Sequence, residues 1–466
     1  MIPLSLAQIA TITGARLDHV ADPAAVVPGP VVIDSRRAVP GALFAALPGE
    51  RADGHDFAAA AVAAGAVAVL ATRPIGAPAL IVSDVPAALA RLAHENAERA
   101  SGLTVAGITG STGKTTTKDL AAQLAERLGP TVAPEGSFNN ELGHPLTVLV
   151  ADERTRYLIL ELSARGAGHI TKLCDIAPPQ LGVVLNVGRA HIGEFGSLDA
   201  VAKAKAELPA ALPAEGVAVL NADDPRVAAM SANTAARVVT FGRHRPADVR
   251  ATDVRVGDDG RPAFTLVTPE GATPVRLNLR GEHNVSNALA AAALARELGM
   301  TLPALATGLS AAVARSRWRM EVTRRHDGVT VINDAYNASP EAMASALASL
   351  RAMTRAGDGQ RAFAVLGHMA ELGDASRAAH EEAGGLAARN GVAGLIVVGE
   401  EALPMLAGAK AEAAWRGDLV HVPDAETAAE EIAERLAPGD VVLIKASRVA
   451  RLERVANALL ADEVAR

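Results

Sequence analysis

Aromatic residues supply only 2% of the 466 residues, with two tryptophans and two tyrosines. So sparse a set offers few platforms on which unpaired bases could stack. The formal net charge of −7 opposes a polyanion as well, so no nucleic-acid partner is expected and the substrate is read as small. The single cysteine, Cys174, cannot close an internal disulfide and is read as a small buried residue in a reducing compartment. Long apolar runs are missing too. Phe57 to Ala71 falls short of the roughly 20 residues of a membrane span and is interrupted by Gly65, so it reads as an alanine-rich helix followed by a buried strand, Val67 to Leu70. No membrane insertion is expected. The N-terminus has no basic start ahead of a compact apolar block, so the expected location is cytoplasmic.

Half of the residues are hydrophobic, many of them alanine, which favours packed helices. At about 150 residues per domain the length implies roughly three domains. The stretch that organises them is Val105 to Thr117, VAGITGSTGKTTT. An apolar strand feeds a glycine-rich turn, and Lys114, Thr115 and Thr116 open a helix with Leu120, Leu124 and Leu128 at helical spacing. Gly110, Ser111, Thr112 and Gly113 let the backbone curl with its N–H groups inward, and the helix N-terminus adds partial positive charge, so a polyphosphate can be cradled. Lys114 would reach the terminal phosphates and Thr115 would offer a hydroxyl to magnesium. The strict spacing G-x-x-x-x-G-K-[ST] is not met, because its first glycine would fall at Ile108 and Gly107 stands one residue early.

Residues 1–100 read as a mixed α/β unit in which Val31 to Ile33 leads into Asp34-Ser35-Arg36 and the arginines could grip a phosphate. Residues 101–316 begin as alternating strands and helices. Glu161 ends the buried strand YLILEL and His191 follows the strand LGVVLNV, so both are expected beyond strand ends near the phosphate loop. An acid in an apolar strand is costly to bury alone, which makes Glu161 the natural magnesium carboxylate. From Val217 the periodicity shortens into VAVLN, RVVTF, DVRATDVRV, AFTLVT and PVRLNL, read as an antiparallel annex, before an alanine-rich helix that follows Asn284. Residues 317–466 show five strand-and-helix alternations, implying a parallel sheet covered on both faces. Asn333, Asp334, His368, Lys445 and Arg448 sit at its strand exits and are expected near a crevice. The fold class is therefore α/β in three units: a mixed N-terminal one, a central phosphate-loop unit with a parallel sheet and antiparallel annex, and a C-terminal Rossmann-like one.

Taken together these stretches resemble the Mur ligase family of ATP-dependent amide-bond-forming enzymes over nearly the whole chain. DSRRAVPGALFAALPGERADGHDF resembles its N-terminal uridine-nucleotide domain, GITGSTGKTTTK its phosphate loop and EGSFNNELGHPLTVL the following substrate segment. LNVGRAHIGEFGS, AKAKAE, LNADDP and GEHNVSNALAA resemble the central motifs; WRMEV, INDAYNASP, LGHMAELGD and VLIKASR resemble the C-terminal ones. Leu162-Ser163 and Ser339 depart from the family pattern, which has Met-Gly and asparagine there more often.

The resemblance implies ATP and Mg2+, with Lys114 on the ATP phosphates and Thr115, Glu161 and His191 on magnesium. It implies Asn284 near the adenine, and Arg319 and Asp334 closing over the nucleotide. Lys205 matches the lysine carbamylated in the family, a change that turns a cation into a metal-binding carboxylate. Ser35, Arg36, Asn139, Asn140, Tyr336 and Asn337 are implied as substrate contacts. The implied partners are UDP-N-acetylmuramoyl-tripeptide and D-alanyl-D-alanine, joined through an acyl phosphate by a monomeric enzyme. A relative that adds the third, diamino residue is the nearest alternative, although Asp223-Asp224-Pro225-Arg226 lies in the central unit and not where that enzyme reads its amino acid. A phosphate-loop switch is the alternative of another class, and no Asn-Lys-x-Asp guanine motif supports it.

Overall fold

The computed structural model describes residues 1–49, 52–354 and 359–461; Glu50 and Arg51 of the first resembling segment, and residues 462–466 of the sequence, lie outside them. Three large sheets follow one another along the chain, besides a two-stranded antiparallel pair, Leu4–Ser5 with Val26–Val27. The first has five strands in the order Arg16–Asp18, Ala79–Ile81, Ala68–Ala71, Leu43–Ala45, Val31–Val32, all parallel except the antiparallel edge at Arg16–Asp18. Phe57–Ala71 resolves into the helix Ala58–Ala63 and the strand Ala68–Ala71, one residue later than expected. The preceding helix Leu6–Thr13 starts on a capping box between Ser5 and Gln8 and stops at Gly14, whose φ of 68° suits a residue without Cβ. Among the described residues no helix is long and apolar enough to cross a membrane.

The central sheet has nine strands, and the phosphate-loop strand Thr104–Thr109 lies between Tyr157–Glu161 and Leu181–Val184, parallel to both. These strands are buried almost throughout, which is why they read as unbroken apolar runs. The annex is narrower than its sequence implies. Val217–Asn221 and Arg237–Gly242 extend the parallel part, Val249–Val256 still pairs parallel to Arg237–Gly242, and only Pro262–Thr268 and Gly271–Arg276 run antiparallel. Pro262–Thr268 alternates buried and half-exposed side chains, as a strand covered on one face does, whereas Val217–Asn221 needs cover on both.

That cover is the helix Asn284–Glu297, in which Ala288 to Ala295 are wholly buried. Alanines let it lie close against the phosphate-loop helix Lys114–Ala125. On the far side Leu302–Ala311 comes so near that a Cβ on Gly308 would fall 2.4 Å from Leu124 Cδ2. Cys174 is buried, as expected, and burial pushes its thiol up to about 12.

The third sheet has the order Glu321–Arg324, Thr330–Asn333, Val441–Lys445, Ala362–Gly367, Gly394–Val398, Asp418–Val422. The last five are the expected parallel strands; Glu321–Arg324 is an added antiparallel edge that the alternation does not announce. Ser339 caps the helix Pro340–Met353 by accepting the Ala342 N–H at 3.3 Å, a role its hydroxyl performs well where the family pattern has an amide.

Candidate active site

The phosphate loop occupies the point in the central sheet where strands diverge to either side, the position at which open α/β sheets leave a crevice. Its shape requires glycine twice. Gly113 has φ 82°, and a Cβ there would fall 2.3 Å from Asn287 Oδ1; one on Gly110 would fall 2.8 Å from Leu185 Cβ. Asn186 holds the loop from the next strand, its Oδ1 accepting the N–H groups of Ser111 at 3.0 Å and Thr112 at 2.9 Å while its Nδ2 donates to the Thr112 carbonyl at 3.1 Å. Ser111 Oγ accepts from the Gly188 N–H at 2.8 Å. On the other side Asn287 donates to Asn284 Oδ1 at 2.8 Å, and Asn284 donates to the Arg280 carbonyl at 2.7 Å.

Lys114 Nζ donates to the Gly110 carbonyl at 2.8 Å and lies folded over the loop. Thr115 Oγ1 donates to Glu161 Oε2 at 2.8 Å, and Asn139 Nδ2 donates to Glu161 Oε1 at 2.7 Å. Ser137 meets Thr115 Oγ1 at 3.1 Å and accepts from Arg319 Nη2 at 3.0 Å, so the loop after the phosphate-loop helix ties central and C-terminal units together. The Arg319 guanidinium stacks over the Tyr336 ring at 4.3 Å. Asp334 accepts from Lys445 Nζ at 2.5 Å and from the Met320 N–H at 3.0 Å. Arg448 stacks over Trp318 at 4.4 Å and pairs with Glu453 at 2.6 Å.

These groups line one cleft of about 1410 Å³. Its walls include Ser111, Thr112, Gly113, Lys114, Thr115, Thr116, Asn139, Asn140, Glu161, His191, Asn284, Arg319, Asp334, Tyr336, Asn337, Lys445 and Arg448. Asn140 also starts the helix Gly143–Val148, its Oδ1 accepting from Gly143 N–H at 2.8 Å. Gly110 sits just behind the wall. Three expected site residues stand apart from it. The Arg36 guanidinium folds back on Asp34 at 2.7 Å and is otherwise in solvent, next to Ser35 in a single 3-10 turn. Lys205 is buried on the helix Leu198–Ala210 while Lys203 faces out, so burial separates two lysines that spacing alone could not. Of the strand-exit residues, Asn333 caps its own turn onto the Ala335 N–H at 3.3 Å, and His368 stacks on His380 with centroids 5.4 Å apart, so neither borders the cleft.

Cations dominate this space. Burial holds the Lys114 ammonium below its ordinary range, Glu161 opposes that shift, and Arg319 adds to it. Burial, helped by Lys114, drives Lys205 well below its ordinary range. Burial and then Lys114 lower His191, whose Nδ1 contacts the Glu371 carboxylate. Mutually repelling cations around a glycine-rich turn at a helix N-terminus are the electrostatics of a polyphosphate site. Among the described residues no group of three or more His, Cys, Asp or Glu is assembled for a metal. The donors that do meet are the Thr115 hydroxyl and the Glu161 carboxylate, hard oxygens that suit Mg2+, an ion that keeps waters and takes phosphate oxygens for the rest.

Fold and cleft together define a three-unit phosphate-loop protein whose main cleft is lined by residues of both its central and C-terminal units. Family models match in the same order: Mur ligase family, catalytic domain, over residues 30–99; Mur ligase middle domain over 108–295; and Mur ligase, glutamate ligase domain, over 318–448. The chain belongs to the Mur ligase family. It is 49% identical to the UDP-N-acetylmuramoyl-tripeptide–D-alanyl-D-alanine ligase of Mycobacterium tuberculosis, with 99% of each chain covered. It is 36% identical to the enzyme of that name from Escherichia coli, covering 98% of this chain and 99% of that one. A crystal structure of MurF from Acinetobacter baumannii superposes with TM-score 0.87 at 32% identity over 98% of both chains. MurF ligase from Thermotoga maritima in complex with ADP superposes with TM-score 0.79 at 31% identity over 93% of this chain and 97% of that one. A UDP-N-acetylmuramoyl-L-alanyl-D-glutamate–2,6-diaminopimelate ligase reaches only 23% identity and TM-score 0.52, a likeness of fold alone.

Proposed function

We propose that the chain is a cytoplasmic, monomeric ATP-dependent ligase that adds D-alanyl-D-alanine to UDP-N-acetylmuramoyl-tripeptide. The observation that carries this reading is the single cleft in which Lys114, Thr115 and Glu161 face Arg319, Asp334 and Lys445. Relatives alike over their full length bear the name of that reaction. Residues 1–100 would bind the uridine nucleotide, 101–316 the ATP, and 317–466 would close over the nucleotide and take the dipeptide.

A carboxylate and an amine do not condense unaided in neutral water, since the carboxylate is a poor electrophile and hydroxide a poor leaving group. In the proposed reaction a tripeptide carboxylate oxygen attacks the γ-phosphorus of ATP and ADP departs. The dipeptide amine then attacks the acyl carbon, forming the amide bond and releasing phosphate and a proton. Lys114 and Arg319 neutralise charge on the transferring phosphoryl group, and the Ser111–Gly113 backbone holds its neighbours in line. Thr115 and Glu161 would hold Mg2+, with His191, which lines the same cleft, as a further ligand; the ion supplies charge neutralisation at the phosphates. Asn284, Asn139, Asn140, Tyr336 and Asn337 are assigned to nucleotide and peptide, and Ser35 and Arg36 to the UDP end.

Lys205 is assigned to carbamylation. Burial favours the neutral form of this amine, and the neutral amine is the form that adds CO2 to give a carbamate. Removing bicarbonate should then lower turnover, and restoring it should recover activity in the native chain but not in Lys205→Ala.

Phosphate release tests the main reading. With magnesium-ATP, the mixture of UDP-tripeptide and D-alanyl-D-alanine should turn over, and UDP-dipeptide with a diamino acid should not. Turnover of only the second mixture would reassign the chain to the third-residue enzyme.

A further inference from the structure

Between the strand Leu181–Val184 and the helix Leu198–Ala210 the chain runs through Asn186–Gly193, a segment that touches the phosphate loop on one side and the C-terminal unit on the other. Toward the loop, Asn186 and Gly188 make the bonds to Ser111 and Thr112 already described. From the other side two carboxylates arrive. Glu341, in the first turn of Pro340–Met353, accepts from the Arg189 N–H at 3.1 Å and from its Nε at 3.2 Å. Glu371 contacts His191 Nδ1 and pairs with Arg165 at 3.1 Å.

The backbones beneath these contacts nearly touch. Gly193 donates to the Glu371 carbonyl at 3.0 Å, and a Cβ on Gly193 would fall 2.5 Å from Gly373 N. His191 and Glu371 both have positive φ, 61° and 63°, a conformation that non-glycine residues keep only where the surroundings impose it. Two strained residues facing one another across a glycine-to-glycine contact mark a joint built for one purpose.

We propose that Glu371 is a positioning residue for the nucleotide site, delivered by the C-terminal unit: by engaging His191 Nδ1 it fixes the tautomer that leaves the Nε2 lone pair free for the metal. A metal-binding histidine works best with its second nitrogen held by a carboxylate, and here that carboxylate belongs to the unit that must close. Closure and completion of the metal site are thereby one event. The inference rests on the ligase reading above.

Its test compares the full-length chain with Glu371→Ala, Glu371→Gln and Gly193→Ala. Two quantities are read: kcat and KM from phosphate release, and the Mg2+ midpoint for thermal stabilisation by a nonhydrolysable ATP analogue. Glu371→Ala should lower kcat about tenfold or more and raise the Mg2+ midpoint by about tenfold, with KM for the UDP-tripeptide within about twofold of its starting value. Glu371→Gln, whose amide oxygen can still accept from Nδ1–H, should recover part of both losses. Gly193→Ala should reproduce the kcat loss with Glu371 intact, because its Cβ holds the two loops apart. Unchanged kcat in Glu371→Ala, a kcat loss with the Mg2+ midpoint unmoved, or Gln no better than Ala would overturn the proposal. If the native chain releases no phosphate, the ligase reading falls instead, and the Mg2+ midpoint alone then decides the role of Glu371.

Discussion

Lys114 spends its ammonium on the Gly110 carbonyl at 2.8 Å, a bond that a terminal phosphate would replace at once because its charge is far greater. Replacing Lys114 with Ala keeps the helix N-terminus and the backbone cradle but removes the one mobile cation on the loop. The expected cost is about 10²–10³-fold in kcat, the usual loss when one preorganised charge-stabilising donor is removed, checked by phosphate release at saturating substrates. Asn287 carries equal weight, although nothing within its own stretch, GEHNVSNALAA, ties it to the phosphate loop. Its Oδ1 stands where a Cβ on Gly113 would go, and its Nδ2 ties the loop to Asn284. A small amide some 170 residues from the loop cannot be paired with it by periodicity; only the close approach of two alanine-lined helices brings them together.

At the scale of elements, the phosphate-loop helix carries three polar residues on one face, Asp119, Gln123 and Glu126, spaced to point the same way. They grip the chain that leads into the C-terminal unit: Asp119 accepts from Ser316 Oγ at 2.7 Å, Gln123 exchanges bonds with Val313 at 3.0 Å, and Glu126 receives Arg315 at 2.5 and 2.6 Å. The connection between the two units is thus anchored on the phosphate-loop helix. The annex is fastened differently. Arg296, on the alanine-rich helix, reaches Glu270 at the turn between the two antiparallel strands, and its hydrogen bonds hold the Glu270 carboxyl down to about 2. A carboxylate lowered in the folded state stabilises the fold above its ordinary pKa of 4.5 and loses that contribution as pH falls toward 2. Glu270→Gln should therefore lower stability at pH 7 by under about 1 kcal/mol, because solvent screens the pair, and the gap should narrow at pH 3 in thermal unfolding.

For the whole molecule, contacts to one cleft come from units at both ends of that connection, so ligands that bridge them should draw the chain together. Small-angle scattering should show a smaller radius of gyration with ATP analogue and UDP-substrate both present than with either alone. Much of this plan was legible in residue order: the strand, glycine turn and helix at Val105–Thr117, Glu161 at a strand tip, and five C-terminal alternations. The partners that complete the site were not. Asn186, Ser137 and Glu371 are polar residues in loops and Glu341 opens a helix, and the value of each depends on which distant backbone it meets. The edge strand Glu321–Arg324 escaped for a related reason, since two exposed and two half-buried residues carry too little hydrophobic pattern to mark a strand. The scarcity of aromatic rings has one practical outcome. Of two indoles, Trp415 is anchored on the Val392 carbonyl at 2.7 Å, while Trp318 lies under Arg448, a residue that lines the cleft. With Trp415 exchanged for Phe, light emitted by the remaining ring would report on the guanidinium above it, giving the protein an intrinsic optical gauge of when its cleft fills.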